Sequence, residues 1–199
     1  MQKADIIILA GGLGKRMQTE LPKVLNELHG KPLVRHVLDA VAAAGVCDTP
    51  VIVVGKKREL VMEALGSGYR YAVQEEQLGT GHAVSMAKNV LAGSTLPVIV
   101  LYGDMPYISA ETIRMLAKRH AEAKAKLTMA TVTVSDFETW RAGFYDFGRI
   151  VRDTEGKIVR SVEKKDATQD ELAITEVNPC YFCFDSTWLW EHLSQLGNS

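Results

Sequence analysis

At 199 residues with 47% hydrophobic side chains the chain is long enough to bury a full core, and 23 Lys plus Arg almost cancel 24 Asp plus Glu, which excludes a broad basic footprint for nucleic acid. No apolar run approaches the ~20 residues of a membrane span, and no signal-type h-region with a cleavage site opens the chain, so a cytoplasmic location without a membrane partner is expected. Cys47, Cys180 and Cys183 are odd in number and lack a second ligand pair for zinc, so they read as buried free thiols.

Ile6 to Ala10 is a short β-branched run closed by Gly11 and Gly12, the pattern of a parallel strand buried on both faces. Gly11, Gly12 and Gly14 let backbone N–H groups approach an anion, and Lys15, Arg16 and Lys23 add charge around it. Two common phosphate loops fail on the letters: Arg16 follows Lys15 where a P-loop needs Ser or Thr, and Met17 stands where a dinucleotide loop needs its third glycine. A kinase glycine loop lies between strands, whereas here Pro22 and the helical spacing after Pro32 give loop, then helix.

Leu33, Val34, Val37, Leu38 and Val41 predict a helix ending near Gly45, and Val51 to Val54 a second buried strand ending at Gly55. Leu60, Val61 and Leu65 then mark a helix and Tyr69 to Val73 a strand. A further helix carries Ala83, Val84, Ala87, Val90 and Leu91, with Thr80 placed to cap it. Val98 to Leu101 is the next buried strand. Ser109 caps a helix that puts Ile113, Leu116, Ala117 and His120 on one face, and Leu127 to Val134 alternates toward strand. From Trp140 the pattern changes to short strands around Arg149 to Val151, Lys157 to Glu163 and Val177 to Phe184. A last helix, Ser186 to Leu196, buries Leu189 and Leu193.

Strands alternating with helices predict an α/β fold, a mostly parallel Rossmann-like sheet with helices on both faces, followed by a smaller mixed β part toward the carboxyl end. In such sheets ligands sit at the carboxyl ends of the strands, and the 11–16 loop, Gln74 and Asp104 each follow a predicted strand directly. Asp104 is thereby a lone carboxylate at a strand mouth, suited to Mg²⁺ that is also bound by phosphates. Arg16 and Lys23 are placed to offset triphosphate charge. A cation about 4 Å from a phosphate oxygen is worth on the order of 4 kcal/mol at an effective dielectric of 20. The Gln74 amide can pair with the imide edge of uracil. His82 reads as a helix-start or packing histidine, and His29, His36, His120 and His192 have no cluster partner.

Six stretches together resemble the sugar-1-phosphate nucleotidyltransferases, specifically their uridylyltransferase (pyrophosphorylase) domains acting on N-acetylglucosamine 1-phosphate. They are Leu9 to Met17 with Leu21 to Leu25, Gln74 to Ala83, Tyr102 to Pro106, Phe147 to Ile150, Val162 to Thr168, and Glu176 to Asn178. The resemblance covers nearly the whole chain and implies Mg²⁺-dependent transfer of a uridylyl group from UTP to N-acetylglucosamine 1-phosphate, with pyrophosphate released. It implies catalytic roles for Arg16, Lys23 and Asp104, with Asp104 as metal ligand. Nucleotide contacts would come from Leu9, Ala10, Gly11, Gly12, Gly14, Lys23, Gln74, Gly79 and Thr80, and sugar contacts from Tyr102, Gly103, Gly148, Glu163 and Asn178. Residues 1–199 would form a single domain, 1–135 binding nucleotide and 136–199 binding sugar. One departure stands out: Asn178-Pro179-Cys180 replaces the family's Asn-Thr-Gly or Asn-Ser-Gly, which bears on sugar choice. The family's domain also continues past Leu196 to an Asn that is a second Mg²⁺ ligand, so this chain is expected to be the front part of a longer protein and a weak catalyst alone. The alternatives are a related transferase using another sugar or alcohol phosphate, and a nucleotide-sugar-binding regulatory module without turnover.

Overall fold

The computed structural model describes residues 2–14 and 20–195; Arg16 and the segment from Leu196 onward lie outside them. The described chain forms two compact units. The smaller is Met129–Tyr181, and the larger takes the residues before it together with those from Phe182 on.

The larger unit is built on β1 (Asp5–Ala10), a hairpin of β2 (Glu27–Leu28) and β3 (Lys31–Pro32), α1 (Leu33–Ala44), β4 (Val51–Val54), α2 (Arg58–Leu65), β5 (Arg70–Val73), α3 (Thr80–Met86), β6 (Val98–Tyr102) and α4 (Ala110–Ala123). β7 (Leu127–Met129) follows. In the smaller unit come β8 (Val132–Thr133), β9 (Gly148–Arg152), β10 (Ile158–Val162), α5 (Gln169–Leu172) and β11 (Glu176–Asn178). The chain then returns to the first sheet as β12 (Phe182–Phe184) and ends its described part with α6 (Ser186–His192) and a 3₁₀ turn, Leu193–Gln195.

Six strands make the first sheet in the order β5-β4-β1-β6-β12-β7. β4, β1 and β6 pair in parallel, as do β4 and β5, while β12 runs antiparallel to β6. The parallel order therefore reverses between β1 and β6, and that reversal opens a crevice at the carboxyl ends of the two strands. Both faces of these strands are buried, which is why β1, β4 and β6 read as unbroken apolar runs. Ile7, Val51, Val53, Val98 and Val100 pack with Ala83, Val84 and Ala87 of the α3 region and Leu189 of α6. Ile6, Ile8, Ile52, Ile99 and Leu101 alternate to the opposite face, where α1 and α4 pack together.

Three local readings change on inspection. Helix α3 is entered through Gly79, at φ 99°, with no side-chain cap, so Thr80 is the first helical residue rather than its cap. Ser109 does cap α4, its hydroxyl accepting from the Thr112 N–H. The 177–184 run is two strands in different sheets, because Pro179 lacks a donor and Cys180 sits at φ 61°, left of anything a strand accommodates. Cys183 is the one fully buried thiol, its pKa pushed up to about 12 by burial, while Cys47 and Cys180 are half-buried.

The smaller unit is a four-stranded sheet, β10-β9-β11-β8, paired antiparallel throughout. Its core contains Arg149, fully buried, with its guanidinium 4.7 Å from the Phe137 ring centre and 4.9 Å from that of Tyr145. Donation to the Tyr145 and Phe147 carbonyls ties the 3₁₀ segment Thr139–Asp146 to the start of β9.

Candidate active site

At the β1/β6 reversal lies a cavity of about 300 Å³, lined by Leu9, Gly11, Gly12, Lys23, Val24, Gln74, Gln77, Gly79, Thr80, Ala83, Tyr102 and Asp104. The residues that the sequence placed at three separate strand ends thus share one wall. Ala10 ends β1 beneath them, and the Gly103 N–H donates to the Leu9 carbonyl at 2.9 Å, stitching the loop after β6 to β1.

Backbone geometry shapes the glycine loop. The Lys23 N–H donates to the Gly12 carbonyl at 3.0 Å, so the segment after Pro22 folds back over the loop as its extended path allows. Gly14 adopts φ 63°, and a Cβ there would stand 3.0 Å from Lys23 Cβ, so no side chain fits between the two arms. Gly55, at the end of β4, was not among the sequence candidates, yet a Cβ on it would lie 2.8 Å from the Gly11 carbonyl oxygen. Gly55→Ala must push the Gly11 peptide outward. Because the loop's N–H groups are then displaced, we expect affinity for inorganic tripolyphosphate to fall about tenfold in a cooperatively folding variant, the scale of one lost hydrogen bond to a charged group, measured by titration calorimetry; an unchanged Kd would show that the loop tolerates displacement.

Charge in the cavity is concentrated in one contact. Lys23 Nζ lies 2.5 Å from Asp104 Oδ2, with the two side chains 43% and 21% exposed. Pairs this open contribute at most about 1 kcal/mol, so the contact is exchangeable: an incoming polyanion can take Lys23, and a cation can take Asp104. Among the described residues no group of three or more His, Cys, Asp or Glu side chains is assembled as a metal cage. A single partly exposed carboxylate at a strand mouth is nevertheless the donor set that suits Mg²⁺, which keeps waters and takes its remaining ligands from phosphates.

Gln74, in the same lining, is buried, its backbone N–H donating to the Val54 carbonyl at 2.8 Å and its Nε2 to the Gly79 carbonyl at 3.2 Å. Gln77, also absent from the sequence candidates, donates from Nε2 to the Gly11 carbonyl at 2.6 Å and so latches the 74–79 loop to the glycine loop. Gln77, Val24 and Ala83 were not site candidates, and the tertiary fold brings them into the lining.

The smaller unit gathers a second group of the sequence candidates. Gly148 pairs with Asn178 across β9 and β11, and a Cβ on Gly148 would lie 3.3 Å from Ser161 Oγ and 3.4 Å from Glu163 Oε1. Asn178 Nδ2 donates to Ser161 Oγ at 3.3 Å, and Asn178 Oδ1 accepts from the Cys180 N–H at 2.8 Å. Ser161 is a further residue that the sequence reading missed. Burial, and secondarily the Glu163 carboxylate, push the Cys180 thiol pKa upward, so it sits in this cluster as a neutral group.

Comparison with known proteins agrees with this architecture. Residues 6–196 match the family model of the MobA-like NTP transferase domain. The chain is 45% identical over 199 residues to the bifunctional protein GlmU of Halalkalibacterium halodurans, covering 100% of this chain and 42% of that protein. It is 42% identical over 193 residues to the GlmU of an Exiguobacterium strain, covering 97% of this chain and 41% of that one. The chain therefore spans about two fifths of the length of these relatives. Its fold is similar to a UDP-glucose pyrophosphorylase crystallised with UDP-glucose, at TM-score 0.76 and 18% identity, over 99% of this chain and 81% of that one. With residues 6–196 matched, nearly its whole length, the chain belongs to the MobA-like NTP transferase domain family.

Proposed function

We propose that this chain is a nucleotidyltransferase that moves a uridylyl group from UTP to N-acetylglucosamine 1-phosphate, forming UDP-N-acetylglucosamine and pyrophosphate. The observation that carries this reading is the Lys23–Asp104 contact at the β1/β6 reversal, facing the glycine loop. No Ser-His-Asp or Cys-His arrangement is needed, because the attacking group is already a phosphate anion and catalysis reduces to positioning and charge stabilisation.

In this reading the backbone of Gly11, Gly12 and Gly14 supports the triphosphate, and Lys23 leaves Asp104 to pair with its oxygens. Arg16, outside the described residues, adds a second cation. Uracil lies against Gln74, Gly79 and Thr80, with Leu9 and Ala10 beneath. Asp104 would hold Mg²⁺, whose chemistry when bound would be to offset phosphate charge. Sugar contacts are assigned within the smaller unit to Gly148, Glu163 and Asn178, and within the larger unit, separately, to Tyr102 and Gly103 at the end of β6. The described residues include no helix long and apolar enough to cross a membrane.

Support for this substrate pair comes from the resemblance of the six sequence stretches to uridylyltransferase domains, and for the base also from the Gln74 amide lining the cavity. The test is pyrophosphate release from a panel of UTP, CTP, dTTP and ATP, each with N-acetylglucosamine 1-phosphate, glucose 1-phosphate and mannose 1-phosphate, with Mg²⁺ and with EDTA. UTP with N-acetylglucosamine 1-phosphate should lead, and only with the metal. A different leading pair would replace the substrate assignment, and no release with any pair would leave a binding module.

A further inference from the structure

Gln74 is held so that only one of its two polar ends is available. The Gly79 carbonyl can only accept, so the Gln74 atom 3.2 Å from it must be the amide nitrogen. The second hydrogen of that nitrogen faces His82 Nδ1 at 3.1 Å, and it forms a bond there if Nδ1 is the unprotonated ring nitrogen. With both N–H groups used, Gln74 Oε1 remains beside Gly11, 3.3 Å from where a Cβ on that residue would stand. A lone acceptor distinguishes bases: uracil and thymine offer an N3–H donor, whereas cytosine N3 is a bare lone pair. A good bond forms in the first case and two acceptors meet in the second.

We infer that His82 is a positioning residue that fixes Gln74 as an acceptor and thereby sets the site's preference for bases with an imide N–H. The inference rests on the reading above that Gln74 faces the base. Without an acceptor at His82, one buried Gln74 N–H loses its partner, the amide is held by a single bond to Gly79, and its Oε1 is no longer pinned against N3–H. His82 is half-buried as the third residue of α3, two residues after Thr80, and its ring nitrogen faces Gln74 rather than a backbone group of the helix start.

The test uses two polar substitutions that differ in where they put the acceptor. Asparagine places its Oδ1 near the Nδ1 position, whereas glutamine places its amide near Nε2. The Kd values of UTP, CTP and inorganic tripolyphosphate are measured on the full 199-residue chain. We expect His82→Asn to keep the UTP-over-CTP ratio within about twofold and His82→Gln to lower it about three- to tenfold, the range of one lost hydrogen bond, with tripolyphosphate affinity unchanged in both. A His82→Gln variant with the full ratio, or one that loses tripolyphosphate affinity in parallel, overturns the inference. Gln74→Ala separates the two levels. If it abolishes the preference while His82→Gln does not, only the role of His82 fails; if it leaves the preference intact, the base-reading role of Gln74 fails as well.

Discussion

Replacing Asp104 by alanine is expected to lower Mg²⁺-dependent pyrophosphate release by about 10³-fold or to background, while the protein stays folded. Asp104 follows a strand buried on both faces, and among the described residues lining the cavity its carboxylate is the single acidic group, so in the proposed reading its loss removes the group that would hold the metal. Removing a group that acts on developing charge commonly costs about 10²–10³, and losing the metal that Asp104 would hold should cost at least the upper end of that range. The fold should survive because the partner left behind, Lys23, is 43% exposed and is solvated once released. A second consequence separates this account from simple damage to the site. With Lys23 freed from its ion pair, UTP binding in EDTA should be unchanged or tighter in Asp104→Ala. Weaker metal-free binding, or unchanged turnover in a folded variant, would contradict the role given to Asp104.

Lys23→Ala is expected to reduce turnover by about 10²–10³-fold and to weaken UTP binding with or without metal. The backbone should not follow the side chain. The Lys23 N–H bond to the Gly12 carbonyl and the contact of its Cβ with the Gly14 region persist in alanine, so the loop keeps its path and the loss reports charge alone. Lys23→Arg should restore part of the phosphate affinity but less of the turnover, since a planar fork does not replace a point charge over the same oxygens. Near-native kinetics in Lys23→Ala would return this residue to the status of a solvated loop lysine.

The sheet was legible in the sequence because its strands are buried on both sides. Ile6 to Ala10, Val51 to Val54 and Val98 to Leu101 carry no polar interruption, and each ends in Gly or in Tyr-Gly-Asp, so the rim of the cavity could be placed before any contact was known. What stayed hidden depends on approach between distant segments. Gly55 matters because the Gly11 peptide passes against it, and Gln77 because its amide reaches a carbonyl 66 residues away, and neither fact has a local signature. His82 was read as a packing residue since its partner, Gln74, precedes it by eight positions across a loop whose shape is set by Gly79. The two-residue strands of the 27–32 hairpin are too short for periodicity to register.

The Asn178-Pro179-Cys180 departure is also clearer in three dimensions. Cys180 takes φ 61°, the conformation a glycine adopts freely, and its N–H caps Asn178 Oδ1 at 2.8 Å. Cys180 thus holds a backbone conformation that favours glycine, Asn178 donates to Ser161, and the thiol faces the Glu163 charge.

The most direct test of the account is a crystal structure of this chain soaked with UTP and Mg²⁺. The account predicts the triphosphate over Gly11 and Gly12, Lys23 Nζ moved from Asp104 onto phosphate oxygens, a metal on the Asp104 carboxylate, and the uracil N3–H on Gln74 Oε1. A nucleotide bound elsewhere, or one bound at the glycine loop with the Lys23–Asp104 contact intact and no metal on Asp104, would contradict it.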